Sequence, residues 1–222
     1  MNLHIISMGF DVTHILSKVR ELSPTREDIF YFVRSRLRDA PQTHLIRKRE
    51  MAEESIKLVF DPLSRYVGVR YRFIELDDTS LTSSILRLFD ETMVVDGEPY
   101  TGSIYIWALG GSKSLVSILV LYGQIDPRVK KIHVFTEGAV DFPEVPTMVR
   151  EYIYGRRRIR QLYKLLESLE MGNPVPADVG GKIISRLVRD GLIVRRSGRK
   201  RRLEITDIGR IYMRRYQILT TR

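Results

Sequence analysis

The run Leu109-Gly110-Gly111-Ser112-Lys113-Ser114 joins an apolar, β-rich segment to an apolar helical one, and its residue types suit an anion. Two glycines let a ligand approach the backbone. A helix start offers unpaired N–H groups and positive potential, while Ser112 and Lys113 add a hydroxyl and a cation. These are the parts of a phosphate cradle. The same residues also make an ordinary strand-to-helix turn with Ser112 as N-cap, and the local pattern is nearly as compatible with that. Sharper motifs are excluded. A P-loop needs glycine directly before its lysine, where Ser112 stands, and an esterase elbow needs glycine two residues after its serine, where Ser114 stands.

A second loop has suitable chemistry. Ser7-Met8-Gly9-Phe10-Asp11-Val12-Thr13 follows the first apolar run and holds a single glycine, so it is not a dinucleotide fingerprint. Gly9, Phe10, Asp11 and Thr13 nonetheless supply backbone access, a stacking face and polar groups. The chain has no cysteine and four histidines, which leaves no expected metal site and no disulfide. His4 and His14 read as packing or surface residues.

The elements that must carry these loops alternate β-rich runs with helical patterns across the first 140 residues, as in a parallel sheet covered by helices. Expected strands are 3–8, 28–33, 67–76, 103–109 and 131–136, with helices at 12–21, 43–60, 81–92 and 112–123. Right-handed crossovers give a Rossmann-like sheet in the order 3-2-1-4-5. Ligands of such sheets sit beyond the carboxyl ends of the strands where the order reverses, which selects the loops after strands one and four. Thr136 and Glu137, at the end of strand five, are added by position alone.

Residues 137–148 hold two prolines and a glycine, and the domain boundary is set near 148: 1–148 as a ligand-sensing domain and 149–222 as a second module. A long helix is expected from Val149, with Tyr152, Ile153, Ile159, Leu162, Leu165, Leu166 and Leu169 at helical spacing. A shorter helix follows at 182–190, closed by Gly191. Two β-runs then flank the turn Ser197-Gly198-Arg199-Lys200, and a last helix runs from Thr206 to Tyr216. The net charge is +10, yet residues 149–222 hold 19 Lys and Arg against 7 Asp and Glu, leaving 18 against 20 for the rest. The positive excess therefore belongs to this module alone and points to a polyanionic partner.

The stretch from Ser185 to Arg210, SRLVRDGLIVRRSGRKRRLEITDIGR, resembles the winged-helix family of transcription regulators. That resemblance implies DNA binding, with Lys182, Ser185, Arg186 and Arg189 facing the major groove and Arg199, Lys200 and Arg201 the backbone or minor groove. The stretch NPVPADVGG, where the family's second helix lies, is short and rich in proline and glycine, so that helix is expected to be a single turn or missing. Together with the Gly-Phe-Asp loop after strand one and Gly-Gly-Ser-Lys after strand four, the chain resembles the CRISPR-associated Rossmann-fold (CARF) regulators. This second resemblance implies a homodimer that binds a cyclic oligoadenylate, most often cyclic tetra-adenylate, across its two-fold axis. It carries Gly9, Phe10, Asp11, Gly110, Gly111, Ser112 and Lys113 over as ligand-facing positions; Ser112 replaces the family's threonine and keeps the hydroxyl.

Three readings follow. The leading one is a ligand-responsive transcription regulator without a cofactor or a catalytic residue, with the helix from Val149 as the lever between its domains. The second is a metal-independent ring nuclease in which Lys113 stabilises charge on phosphorus and Ser112 positions a 2′-hydroxyl for in-line attack. The third is a constitutive DNA-binding or dimerisation protein. Some relatives end in a ribonuclease domain with an Arg-to-His pair, but the spacings Arg38 to His44 and Arg128 to His133 read as chance. No membrane partner is expected, because Leu3 to Phe10 lacks a basic leader and no apolar run is long enough to span a bilayer, and the setting expected is cytoplasmic.

Overall fold

The computed structural model describes residues 1–37, 43–134, 156–196 and 202–220. Five parallel strands form its centre: β1 (Asn2–Ser7), β2 (Asp28–Ser35), β3 (Arg70–Leu76), β6 (Ser103–Ala108) and β7 (Val129–Val134). They lie in the order β3-β2-β1-β6-β7, the expected 3-2-1-4-5 arrangement of a Rossmann-like sheet. The helices between them are α1 (Thr13–Leu22), α2 (Thr43–Tyr66), α3 (Leu81–Met93) and α4 (Lys113–Ile125). A hairpin of two-residue strands, β4 (Val94–Val95) and β5 (Glu98–Pro99), follows α3.

β1 and β2 read as near-continuous apolar runs because both faces of the sheet are covered. On one face Leu3, Ile5, Ile29, Tyr31, Ile104 and Ile106 pack with Leu88 and Phe89 of α3 and Leu115, Leu119 and Tyr122 of α4. On the other Ile6, Phe30, Phe32 and Trp107 pack with Ile15 and Val19 of α1 and with Ala52, Ile56 and Phe60 of α2. Phe60 meets Phe30 and Phe32 edge-on at 5.0 and 4.9 Å, a favoured aromatic geometry.

Arg128 is buried, and its side chain is fully engaged. It pairs with Asp126 at 2.6 Å and donates to the backbone oxygens of Thr92 (2.8 Å) and Tyr100 (3.0 Å), while the Tyr122 hydroxyl donates to Asp126 at 2.6 Å. His133 stacks on Trp107 at 4.2 Å. Both therefore have structural partners. Arg38 lies outside the described residues.

The C-terminal residues fold as α5 (Arg156–Glu170), α6 (Gly181–Arg189), an antiparallel pair β8 (Ile193–Arg196) and β9 (Arg202–Ile205), and α7 (Asp207–Thr220). No helix forms across 171–180. Leu165, Leu166, Leu187, Leu192, Ile193, Ile205 and Met213 make a separate small core. Thr206 caps α7: its Oγ1 accepts from Gly209 N at 3.1 Å and donates to Gly191 O at 2.7 Å. Gly209 is forced by close approach, since a Cβ there would lie 2.2 Å from Leu192 O. The expected helix start at Val149 and the boundary near 148 lie outside the described residues. The last helix has a second contact: Ile211 and Ile218 join the core that holds Leu88 and Phe89 of α3, and Arg214 pairs with Asp90 at 3.1 Å. No helix among the described residues is long and apolar enough to cross a membrane.

Candidate anion-binding site and basic face

The loops after β1 and β6 touch backbone to backbone because the two strands are neighbours. A Cβ on Gly9 would lie 2.8 Å from Gly111 N. Gly111 has φ +96°, a left-handed conformation that favours glycine, and a Cβ there would lie 2.9 Å from Leu115 Cδ2 and 3.1 Å from Met8 O. Beneath them Ser7, fully buried, accepts from Gly110 N at 3.1 Å. The sheet thus brings Gly9, Gly110 and Gly111 together at its carboxyl edge, and Phe10 lies exposed beside them. Asp11 turns toward the start of its own helix, where Oδ1 accepts from Thr13 N at 2.9 Å, and that bond holds its carboxyl below the usual range. Thr13, the first residue of α1, is exposed.

Ser112 is the N-cap of α4 and accepts from Leu115 N at 3.0 Å. Its own proton goes to Asp78 Oδ2 at 2.5 Å, and Ser35 Oγ lies 3.1 Å away. Lys113 is exposed at the first turn of α4, where the helix dipole and its ammonium add positive potential of the same sign. Ser7, Ser35 and Asp78 are participants that sequence reasoning did not single out. Ser35 ends β2 and Asp78 lies two residues past β3, and a reading confined to the loops after strands one and four passes over both. Thr136 and Glu137 lie outside the described residues.

The basic face is separate. Along α6, Ile183, Ile184, Leu187 and Val188 turn toward the C-terminal core, while Lys182, Ser185, Arg186 and Arg189 are exposed. Asp190 lies 3.6 Å from Arg186 and 3.5 Å from Arg189, so one carboxylate partly offsets two of these cations. Arg195 and Arg196 extend the exposed basic surface along β8, with Arg196 paired to Glu204 at 2.9 Å. Arg199, Lys200 and Arg201 lie outside the described residues.

No family model matches the chain, and no curated protein matches it. Among solved structures it is similar to Can2 from Sulfobacillus thermosulfidooxidans in complex with cyclic tetra-adenylate, with 10% identity and a TM-score of 0.33. The alignment covers 99% of this chain and 63% of that one, so the chain spans less than two thirds of that neighbour's length.

Proposed function

We propose that this protein is a ligand-responsive DNA-binding regulator: a homodimer that takes a cyclic oligoadenylate at the carboxyl edge of its parallel sheets and DNA on a C-terminal winged helix. The observation that carries the ligand half is the meeting of Gly9 with Gly110 and Gly111 directly beside the N-terminus of α4, where Lys113 is exposed. Bare backbone, unpaired helix N–H groups and a cation at one point suit a phosphodiester. Phe10 offers an exposed ring on which a base can stack. The DNA half is supported by the exposed row Lys182, Ser185, Arg186 and Arg189 on a helix whose other face is apolar, followed by a hairpin. CRISPR-linked regulation of transcription belongs to this reading through the family resemblance alone.

Calorimetric titration of cyclic tetra-adenylate tests the ligand half. One ring is expected per dimer, Lys113→Ala should weaken binding at least about ten-fold, and basal DNA binding should be unchanged. Absence of heat would defeat the assignment. The ring-nuclease reading gains from one observation, the contact of Ser112 with the Asp78 carboxylate, a group able to accept a proton. Linear products in the titration mixture, absent with Ser112→Ala, would favour it over the regulator.

A further inference from the structure

The Ser112 hydroxyl has one hydrogen and two lone pairs. The hydrogen goes to Asp78, one lone pair accepts the Leu115 N–H, and the Ser35 hydroxyl, which must then be the donor, fills the other. A phosphate oxygen that takes a hydrogen bond from Ser112 has to displace Asp78 from it. Asp78 would then face the phosphate with an unfilled acceptor, and neither group of such a pair can donate. Two anions at that separation repel unless a hydrogen stands between them.

The turn that carries Asp78 is itself braced. Its neighbour Asp77 accepts from Thr79 N (3.2 Å) and Thr79 Oγ1 (2.6 Å) through its carboxylate, and from Ser80 N (3.1 Å) and Ser84 Oγ (2.7 Å) through its backbone oxygen. These bonds brace the backbone of the turn between β3 and α3, and the Asp78 carboxylate reaches the site through its bond with Ser112. The Asp78–phosphate contact has no hydrogen of its own, and a ligand can bring one. A ribonucleotide phosphodiester brings one on the carbon next to its 3′-phosphate, the 2′-hydroxyl.

We propose that Asp78 is a specificity-determining residue of this site: it gives up the Ser112 hydroxyl to the phosphate, takes the ligand's 2′-hydroxyl in exchange, and so selects ribonucleotide over deoxyribonucleotide rings. The inference rests on the cyclic oligoadenylate reading above and adds to it the group that reads the sugar. It also gives Ser112 and Asp78 opposite parts, one contacting phosphate and the other ribose.

The test is a calorimetric comparison of cyclic tetra-adenylate with its all-2′-deoxy counterpart, on wild-type protein and on Asp78→Ala. Wild type is expected to prefer the ribonucleotide ring by roughly ten-fold or more, because a site built around a hydroxyl penalises a ligand without one. In Asp78→Ala the two rings should bind within about two-fold of each other, with the deoxy ring held at least as tightly as by wild type once the repelling carboxylate is gone. Should Asp78→Ala fail to fold, Asp78→Asn, which keeps the shape and loses the charge, should narrow the preference in the same direction. Wild-type indifference to the 2′-hydroxyl, or a preference that survives in these variants, overturns the role of Asp78 while leaving the ligand assignment intact. A wild-type protein that binds neither ring overturns the ligand assignment itself.

Discussion

His4 has both ring nitrogens committed inside the sheet wall. Nδ1 accepts from Trp107 Nε1 at 3.2 Å, Nε2 lies 3.5 Å from Asp28 Oδ1, and the ring stacks between Phe30 and Tyr105. Burial lowers its pKa, opposed by Asp28, and protonation of Nδ1 would break the indole bond. A folded pKa below the unfolded value of about 6.5 means that the unfolded chain binds the proton more readily. Stability from this group is then complete above about pH 6.5 and is lost as pH falls through the depressed folded value. Thermal melts from pH 7 to pH 5 should show a falling Tm, with a smaller fall in His4→Gln. An equal slope in both would show that His4 does not contribute to the pH dependence. Gly111 gives a second prediction: Gly111→Ala should cost about 1–2 kcal/mol for its left-handed backbone alone, and binding of cyclic tetra-adenylate should drop with it. A denaturation midpoint equal to wild type would contradict the geometry.

At the scale of elements, Gly209 joins the hairpin to α7 so closely that Gly209→Ala should unravel the C-terminal core, lowering the Tm of the module and abolishing DNA binding together. Retention of DNA binding at full affinity would show that this packing does not support the basic face. The elements themselves were largely readable. β1, β2 and β6 announce themselves as apolar runs because both sheet faces are covered, and the C-terminal helices because their apolar residues recur at helical spacing. Other features were masked by local chemistry. Pro62 reads as a stop near Phe60, yet α2 continues to Tyr66 around it. The hairpin at Val94–Pro99 is signalled only by Asp96-Gly97, both at positive φ, because strands of two residues have no period to detect. At the site, the glycine-rich loops were legible from residue type. The contact of Ser112 with Asp78 spans 34 positions, and no local spacing encodes a contact set by the order of strands.

In the whole molecule, α7 belongs to two cores at once. Met213 packs in the C-terminal one, while Ile211 and Ile218 pack with Leu88 and Phe89 of α3, where Arg214 also pairs with Asp90. α3 in turn begins just after the loop that carries Asp78. A packed path therefore runs from the turn that carries Asp78 through α3 to α7. A ligand changes DNA affinity only if it binds one arrangement of this path better than another. Arg214→Ala should leave ligand binding within about two-fold and reduce the ligand's effect on DNA affinity, measured as the ratio of DNA dissociation constants with and without cyclic tetra-adenylate. An unchanged ratio would place the coupling elsewhere. DNA affinity should also fall steeply with salt, because several Arg and Lys release counterions on binding.

Fluorescence anisotropy of a labelled DNA duplex titrated with protein at fixed salt, with and without saturating cyclic tetra-adenylate, measures whether the ligand and DNA are coupled. The ligand is expected to shift the DNA dissociation constant at least about five-fold in wild type and to leave it unmoved in Lys113→Ala. Identical isotherms for wild type with and without ligand would contradict that coupling.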